Sequence, residues 1–276
     1  MNTATMSFAP TASTRLSVTL PVAKAMMCKP HNPLQNHLLA ALPKPELNRL
    51  LPNLELVPMP LGEVIYGFAG RMQYVYFPTT AIVSLVYVLE DGASAETAII
   101  GNEGVLGISL LMGGENTPNR AVVKSAGFAY RMKVQLLKNE FELAGPVFQI
   151  LLRYFQALMT HVAQTAVCNR HHTVEQQLCR FLLLSLDRLP SNSITMTQEL
   201  IASMLGVRRE GITEAAGNLQ RAGLIKYSRG QIEVLVRPKL EKAACECYAV
   251  VKHEFDRLLN HNHSCGSPQA LNRSYS

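Results

Sequence analysis

The chain has no hydrophobic run close to the roughly 20 residues that span a bilayer. Its longest candidate, GVLGISLLMGG at 104–114, is broken by glycines, so no membrane partner and a soluble, cytoplasmic protein are expected. It also has no GxSxG, no phosphate-cradling glycine loop and no HExxH, the short motifs that mark common hydrolytic, nucleotide and metalloprotease chemistry. An enzyme is not expected, and no catalytic residue is assigned. Six cysteines (Cys28, Cys168, Cys179, Cys245, Cys247 and Cys265) are scattered over 276 residues, which resembles reduced usage more than a disulfide framework. Residues 1–30 contain no Asp or Glu and are rich in Ser, Thr, Ala and Pro. That composition cannot bury a core and reads as a disordered leader. The polar residues 261–276 read as a flexible tail.

The segment TMTQELIASMLGVRREGITEAAGNLQRAGLIK at 195–226 predicts two helices joined by a tight turn. The Thr197 hydroxyl suits a helix N-cap, and Ile201, Met204 and Leu205 supply an apolar face. Gly206 allows the positive φ of a sharp turn. Small Ala202 lets the helices approach, and Ile212 buries against the first. In a helix-turn-helix the start of the second helix meets base edges, which places Arg208, Arg209, Glu210, Thr213 and Glu214 as base readers. Arginine can grip guanine in bidentate fashion, and glutamate can accept from cytosine. The following KYSRGQIEVLV reads as a β-hairpin wing, with Lys226, Ser228 and Arg229, joined by Thr197, facing phosphates.

Charge agrees with a polyanion partner. Residues 1–145 carry 11 basic and 10 acidic residues, and residues 146–276 carry 15 and 10, so nearly all of the net +6 lies in the half with the motif. Upstream, 34–51 reads as a short leucine-rich helical stretch. Short Val/Ile/Tyr/Phe runs separated by Gly or Pro from about 56 to 135 predict an antiparallel β-barrel or sandwich, with Glu90-Asp91-Gly92 turning one hairpin. A long helix then carries Leu151, Tyr154, Leu158, His161, Thr165 and Cys168 at alternating three and four spacing, a heptad-like seam that predicts a homodimer. Thr173 caps the next helix. The segment PKLEKAACECYAVVKHEFDRLL reads as one continuous final helix packed on the DNA-binding part. Cys245 and Cys247, with His253, His261, His263 and Cys265 nearby, are not expected to bind metal: thiols two apart on one helix point to different faces.

In this order of elements the chain resembles the Crp/Fnr superfamily of bacterial transcription regulators over about residues 35–240. The most specific match is LGVRREGITEAAGNLQRAGLI. The resemblance implies an α+β fold: an N-terminal antiparallel, jelly-roll-like β-roll, a long dimerisation helix, and a C-terminal winged helix-turn-helix. The corresponding divisions are 1–30 leader, 31–145 β-roll, 146–171 dimerisation helix, 172–260 DNA-binding domain and 261–276 tail. It implies that Arg209 and Glu210 read a G·C pair, and that Glu214 stands where the best-known members have Arg. Cyclic-nucleotide-binding members carry a Glu for the ribose and an Arg for the phosphate; here those places hold Ile108 and Asn119, with Arg120 one position late. Cyclic nucleotide is therefore not expected. With only Cys28 before residue 168, neither is an N-terminal iron–sulfur cluster, and the effector stays open. A haem role for His161 or a methionine is also left open.

The reading is a homodimeric, sequence-specific DNA-binding regulator of a pseudo-palindromic operator, with RNA polymerase as the further partner that the resemblance implies. The alternative is a ligand-binding or scaffold protein whose helix-turn-helix serves protein contact.

Overall fold

The structure, a computed structural model, describes residues 31–67, 72–92, 94–114, 117–189 and 191–259. The expected leader and tail lie outside these, as do Cys28, His261, His263 and Cys265. The described residues from Pro33 onward form one compact unit.

Two short helices, α1 (His37–Ala40) and α2 (Lys44–Leu50), open the fold. Asn36 caps α1 by accepting from the Leu39 N–H, and its buried amide donates to the carbonyls of Pro78 and Gly104 at 2.9 and 2.8 Å. A buried polar side chain is tolerated when it is paired in this way. Seven strands follow: β1 (Glu55–Met59), β2 (Val64–Tyr66), β3 (Tyr74–Pro78), β4 (Ile82–Val88), β5 (Ser94–Ile100), β6 (Arg120–Ser125) and β7 (Gly127–Lys133). They make two antiparallel sheets, β1-β7-β3 and β2-β6-β4-β5. Pro58 lies on β1, which pairs only with β7, the edge position proline requires. Val75, Phe77, Val83, Leu85, Ile100, Val123 and Met132 fill the space between the sheets, closed by α3 (Val134–Glu142) and α4 (Pro146–His171).

The chain then makes α5 (Val174–Leu186), β8 (Ser193–Thr195), α6 (Gln198–Leu205), α7 (Arg209–Arg221), β9 (Ile225–Ser228), β10 (Gln231–Val234), α8 (Arg237–Ala243) and α9 (Glu246–Leu259). Thr173 caps α5 through a reciprocal capping box with Gln176, as its sequence suggests. The expected α+β order of roll, long helix and winged helix-turn-helix is present.

Three features depart from the sequence reading. The strand β8 joins the wing as a third strand, in the order β8-β10-β9; three residues are too few for alternation to stand out. The final helix is two helices, broken at Ala244-Cys245, where Ala244 takes an extended conformation (φ −73°, ψ 158°). Most consequentially, Leu151, Tyr154, Leu158, His161, Thr165 and Cys168 do not form an open seam for a second chain. All six are buried within this one. Tyr154 donates to the Val105 carbonyl at 3.2 Å, and α9 lays Phe255 edge-on against both Tyr154 and His161, at 6.4 and 6.3 Å between ring centroids. Burial, with the nearby charges of Arg188 and Arg180, holds the His161 imidazole well below its usual range, so it is neutral. The spacing revealed an apolar face; what covers that face is the chain's own roll and last helix.

The C-terminal half leans on the roll. Its core of Leu178, Leu182, Ile201, Ile212, Leu219 and Ile232 extends to Ile82 and Ile99 of the roll. Arg188, just beyond α5, donates to Glu103 at 2.7 Å with both side chains largely buried (4% and 12% exposed). Removing one partner strands a buried charge. Glu103→Ala should therefore destabilise the protein by about 3–5 kcal/mol in denaturant titration, and a loss below about 1 kcal/mol would show that the pair is solvated in solution.

A second carboxyl lies at the same junction. Glu96 accepts a short hydrogen bond from Ser84, but burial raises its pKa from 4.5 to about 7 despite that bond and the charges of Arg180, Lys124 and Arg188. The folded state thus keeps a proton that the unfolded chain releases above pH 4.5. The resulting stabilisation is complete below pH 4.5 and is lost as pH rises through about 7. In Glu96→Gln this decline should disappear from chemical-denaturation profiles taken between those pH values.

Candidate nucleic-acid interface

The helix pair α6–α7 is set by local chemistry. Thr197 caps α6, its hydroxyl accepting from the Leu200 N–H at 3.2 Å, and Gly206 ends it in the left-handed region at φ 65°. Ala202, Met204, Leu205, Ile212, Ala215 and Ala216 bury the contact between the helices. Arg208 is the extended N-cap of α7 and Arg209 its first residue. Arg208, Arg209, Glu210, Thr213 and Glu214 are all exposed. They are not equally free. The Thr213 hydroxyl donates to Gln198 Oε1 at 2.8 Å, and Arg209 Nε lies 3.9 Å from a Glu199 carboxylate oxygen. Because that last pair is mostly solvated it is weak, and the guanidinium can exchange it for a base.

The wing turns at Arg229-Gly230, between paired Ser228 and Gln231. Both turn residues have positive φ, 50° and 79°, the requirement of the two-residue turn that matches strand twist. The wing is fixed to the motif at three points: the Tyr227 hydroxyl donates to the Met196 carbonyl at 3.0 Å, the Tyr227 N–H donates to Gln220 Oε1 at 2.8 Å, and the Met196 N–H donates to the Gly230 carbonyl at 2.7 Å. The wing tip therefore sits beside exposed Thr197, with Lys226, Ser228 and Arg229 exposed along it. Sequence reasoning passed over Gln198 and Gln220, whose only signal was a polar residue on a helix flank facing the neighbouring element.

Family comparison matches residues 176–243 to the Crp-like helix-turn-helix domain. Solved structures place the rest: FixK2 from Bradyrhizobium japonicum aligns at 20% identity over 70% of this chain and 98% of its own, with TM-score 0.59. TTHB099, a CRP-family transcriptional regulator from Thermus thermophilus, aligns at 19% identity, 68% and 96% coverage and TM-score 0.57. A candidate Crp/Fnr-family regulator from Eubacterium rectale aligns at 18%, 75% and 96%, with TM-score 0.58. The chain has the fold of the Crp/Fnr transcription regulators. No curated protein matches the sequence significantly. No helix among the described residues is long and apolar enough to cross a membrane.

In the roll of this Crp/Fnr-type fold, Ile108 is buried in a short 3-10 helix, Ile108–Met112. Asn119 has an enclosed Oδ1 with no partner among the described residues, and Arg120 is exposed at the start of β6. Away from the exposed start of α7, Cys168, His172, Cys245 and Cys247 bring ligand-type atoms within 4.8 Å of one another. The expectation that Cys245 and Cys247 diverge fails, because only Cys247 is on α9 and Cys245 sits in the break before it. His253, by contrast, is exposed and outside this group.

Substituting Arg209 by Ala should cost about 1–3 kcal/mol of specific DNA affinity and relax preference at one base pair. Binding titrations against the preferred site and its single-base variants check this; an equal loss on random DNA would make Arg209 a phosphate contact.

Proposed function

We propose that the protein is a homodimeric, sequence-specific DNA-binding transcription regulator. The observation that carries the reading is the solvent-facing start of α7, Arg208-Arg209-Glu210, held beside a wing whose tip presents Arg229. Each α7 enters a major groove of a pseudo-palindromic operator, with half-sites about one helical turn apart. Arg209 and Glu210 read bases, joined by Arg208 and Glu214. Thr213 donates to a base only by giving up Gln198. Thr197, Lys226, Ser228 and Arg229 hold phosphates, and RNA polymerase is met in the cytoplasm by the DNA-bound dimer.

The dimer forms on the outer face of α4. There Leu152, Met159 and Val167 are 39%, 51% and 48% exposed and, with exposed Ala163, recur at helical spacing on one line. The roll works without a cyclic nucleotide, since a buried cyclic phosphate needs a charged partner and Ile108 and Asn119 offer none.

Selection of random duplexes by the full-length protein, followed by salt titration, tests the reading. A two-fold symmetric motif is expected, with log affinity falling steeply against log salt and no response to added cyclic nucleotide. Met159→Glu should give a monomer in analytical ultracentrifugation that binds the full site more weakly. Recovery of no motif, with weak binding even at low salt, would favour a helix-turn-helix used for protein contact.

A further inference from the structure

Of the four cysteines among the described residues, all buried, three cluster apart from both hydrophobic cores. Cys168, on the last turn of α4, lies 3.5 Å from Cys245, sulfur to sulfur, and Cys247, at the start of α9, lies 3.6 Å from His172 Nδ1. Zinc held at about 2.3 Å from sulfur and about 2.0 Å from nitrogen in a tetrahedron sets neighbouring ligand atoms about 3.6–3.8 Å apart. These two separations are close to those of a filled Cys3His site, all four ligand atoms lie within 4.8 Å of one another, and the sulfur pair is well beyond the roughly 2.05 Å of a disulfide. We propose that Cys168, His172, Cys245 and Cys247 are the four ligands of a Zn2+ site that fastens the C-terminal end of α4 to the junction of α8 and α9.

Three further observations favour a ligand set over thiols packed as small hydrophobes. The first is the outer shell of the histidine. With Nδ1 turned to Cys247, His172 Nε2 lies 3.3 Å from a Glu246 carboxylate oxygen, and its carbonyl accepts from Gln177 at 2.9 Å. Carboxylate support of the second ring nitrogen is the usual way a ligating imidazole is oriented. The second is charge. Zinc with three thiolates and a neutral imidazole carries one net negative charge, and Arg180, 4% exposed, is close enough to act electrostatically on both Cys168 and Cys247. Its Nη1 donates to Thr165 at 3.2 Å, while its buried Nε has no partner among the described residues. The third is the backbone. Breaking the helix at Ala244-Cys245 lets two thiols one residue apart converge, which a continuous helix forbids. The soft thiolate-rich set selects zinc over magnesium, calcium or manganese, and the four closed ligands describe a structural rather than a catalytic ion.

The location gives the ion a mechanical task. His172 is the residue between α4 and the α5 cap, where the roll's long helix hands over to the DNA-binding half. A metal bound there ties that hinge to α9, which already covers the inner face of α4.

The test uses the full-length chain, purified under reducing conditions and analysed for metal. One tightly held Zn2+ per chain is expected. Substitution by Co2+ should give the visible bands of a tetrahedral site and a thiolate-to-cobalt charge-transfer band. Cys247→Ala and His172→Ala should lose the stoichiometric ion, whereas Cys179→Ala, a buried thiol outside the group, should keep it. Glu246 is mostly exposed, so Glu246→Gln should fold normally and bind Zn2+ about 10–100-fold more weakly in competition with a chromophoric chelator. This last variant decides the matter even if the ligand variants fail to fold. Absence of stoichiometric zinc, an octahedral cobalt spectrum without thiolate absorption, retention of copper in preference to zinc, or a Cys168–Cys245 disulfide in place of the ion would each overturn the site. None of these readouts depends on DNA binding.

Discussion

The relation between the two halves of the molecule rests on one buried charge. Arg188 leaves the end of α5, donates to the Leu184 carbonyl at 2.6 Å and to Glu103 at 2.7 Å, and lies 5.7 Å from the centre of the Phe255 ring. Glu103 in turn accepts from the Gly101 N–H at 3.1 Å. A side chain at Gly101 would meet the Arg188 stem at 2.7 Å, so the absence of one admits the arginine. An apolar interface alone could slide by a turn. A desolvated guanidinium with directional partners cannot, because any displacement leaves charge unpaired where water does not reach. The roll, α5 and α9 are thereby held in a single arrangement.

The helix α9 explains most of what the sequence concealed. Its residues divide between the cores: Tyr248 and Val251 belong to the DNA-binding core, Leu258 and Leu259 to that of the roll. By covering the inner face of α4 it turns an apparent dimer seam into interior. A heptad-like repeat reports that a face is apolar and is silent on whether a partner subunit or a later stretch of the same chain covers it. On α4 both faces are apolar, and the more heavily populated line, from Leu151 to Cys168, is the internal one.

Legibility followed sequence distance. The helix-turn-helix was readable because its determinants lie within a few residues of one another: the Thr197 cap, the Gly206 turn, the packing of Ala202 and Ile212, and the arginines at the start of α7. The roll was readable from short alternating runs and turn residues, and the hairpin at Glu90-Asp91-Gly92 joins β4 and β5 as expected. The Cys168 pairing with Cys245 was not, since the two are 77 positions apart, and neither Gly nor Pro marks the helix break that brings Cys245 and Cys247 together. The side chains expected to read bases are exposed, but the present partners of Thr213 and Arg209, Gln198 and Glu199 on α6, belong to geometry that no linear pattern encodes.

Because Ile82 and Ile99 belong to the DNA-binding core while their strand neighbours Val83 and Ile100 belong to that of the roll, β4 and β5 are shared walls. Alternation along a strand sends consecutive residues to opposite faces, so a shift of either strand disturbs both cores together. The same strand β5 touches the helix-turn-helix directly: Ser94 and Ser203 hydroxyls lie 3.3 Å apart, and Ser203 is on α6, which carries Gln198 and Glu199, the partners of Thr213 and Arg209. A path of packed and hydrogen-bonded groups therefore runs from the sheet of the roll to Thr213 and Arg209 at the start of α7 without passing through the region around Ile108. In this chain the contact between the roll and the helix-turn-helix does not depend on the residues that would hold a cyclic nucleotide.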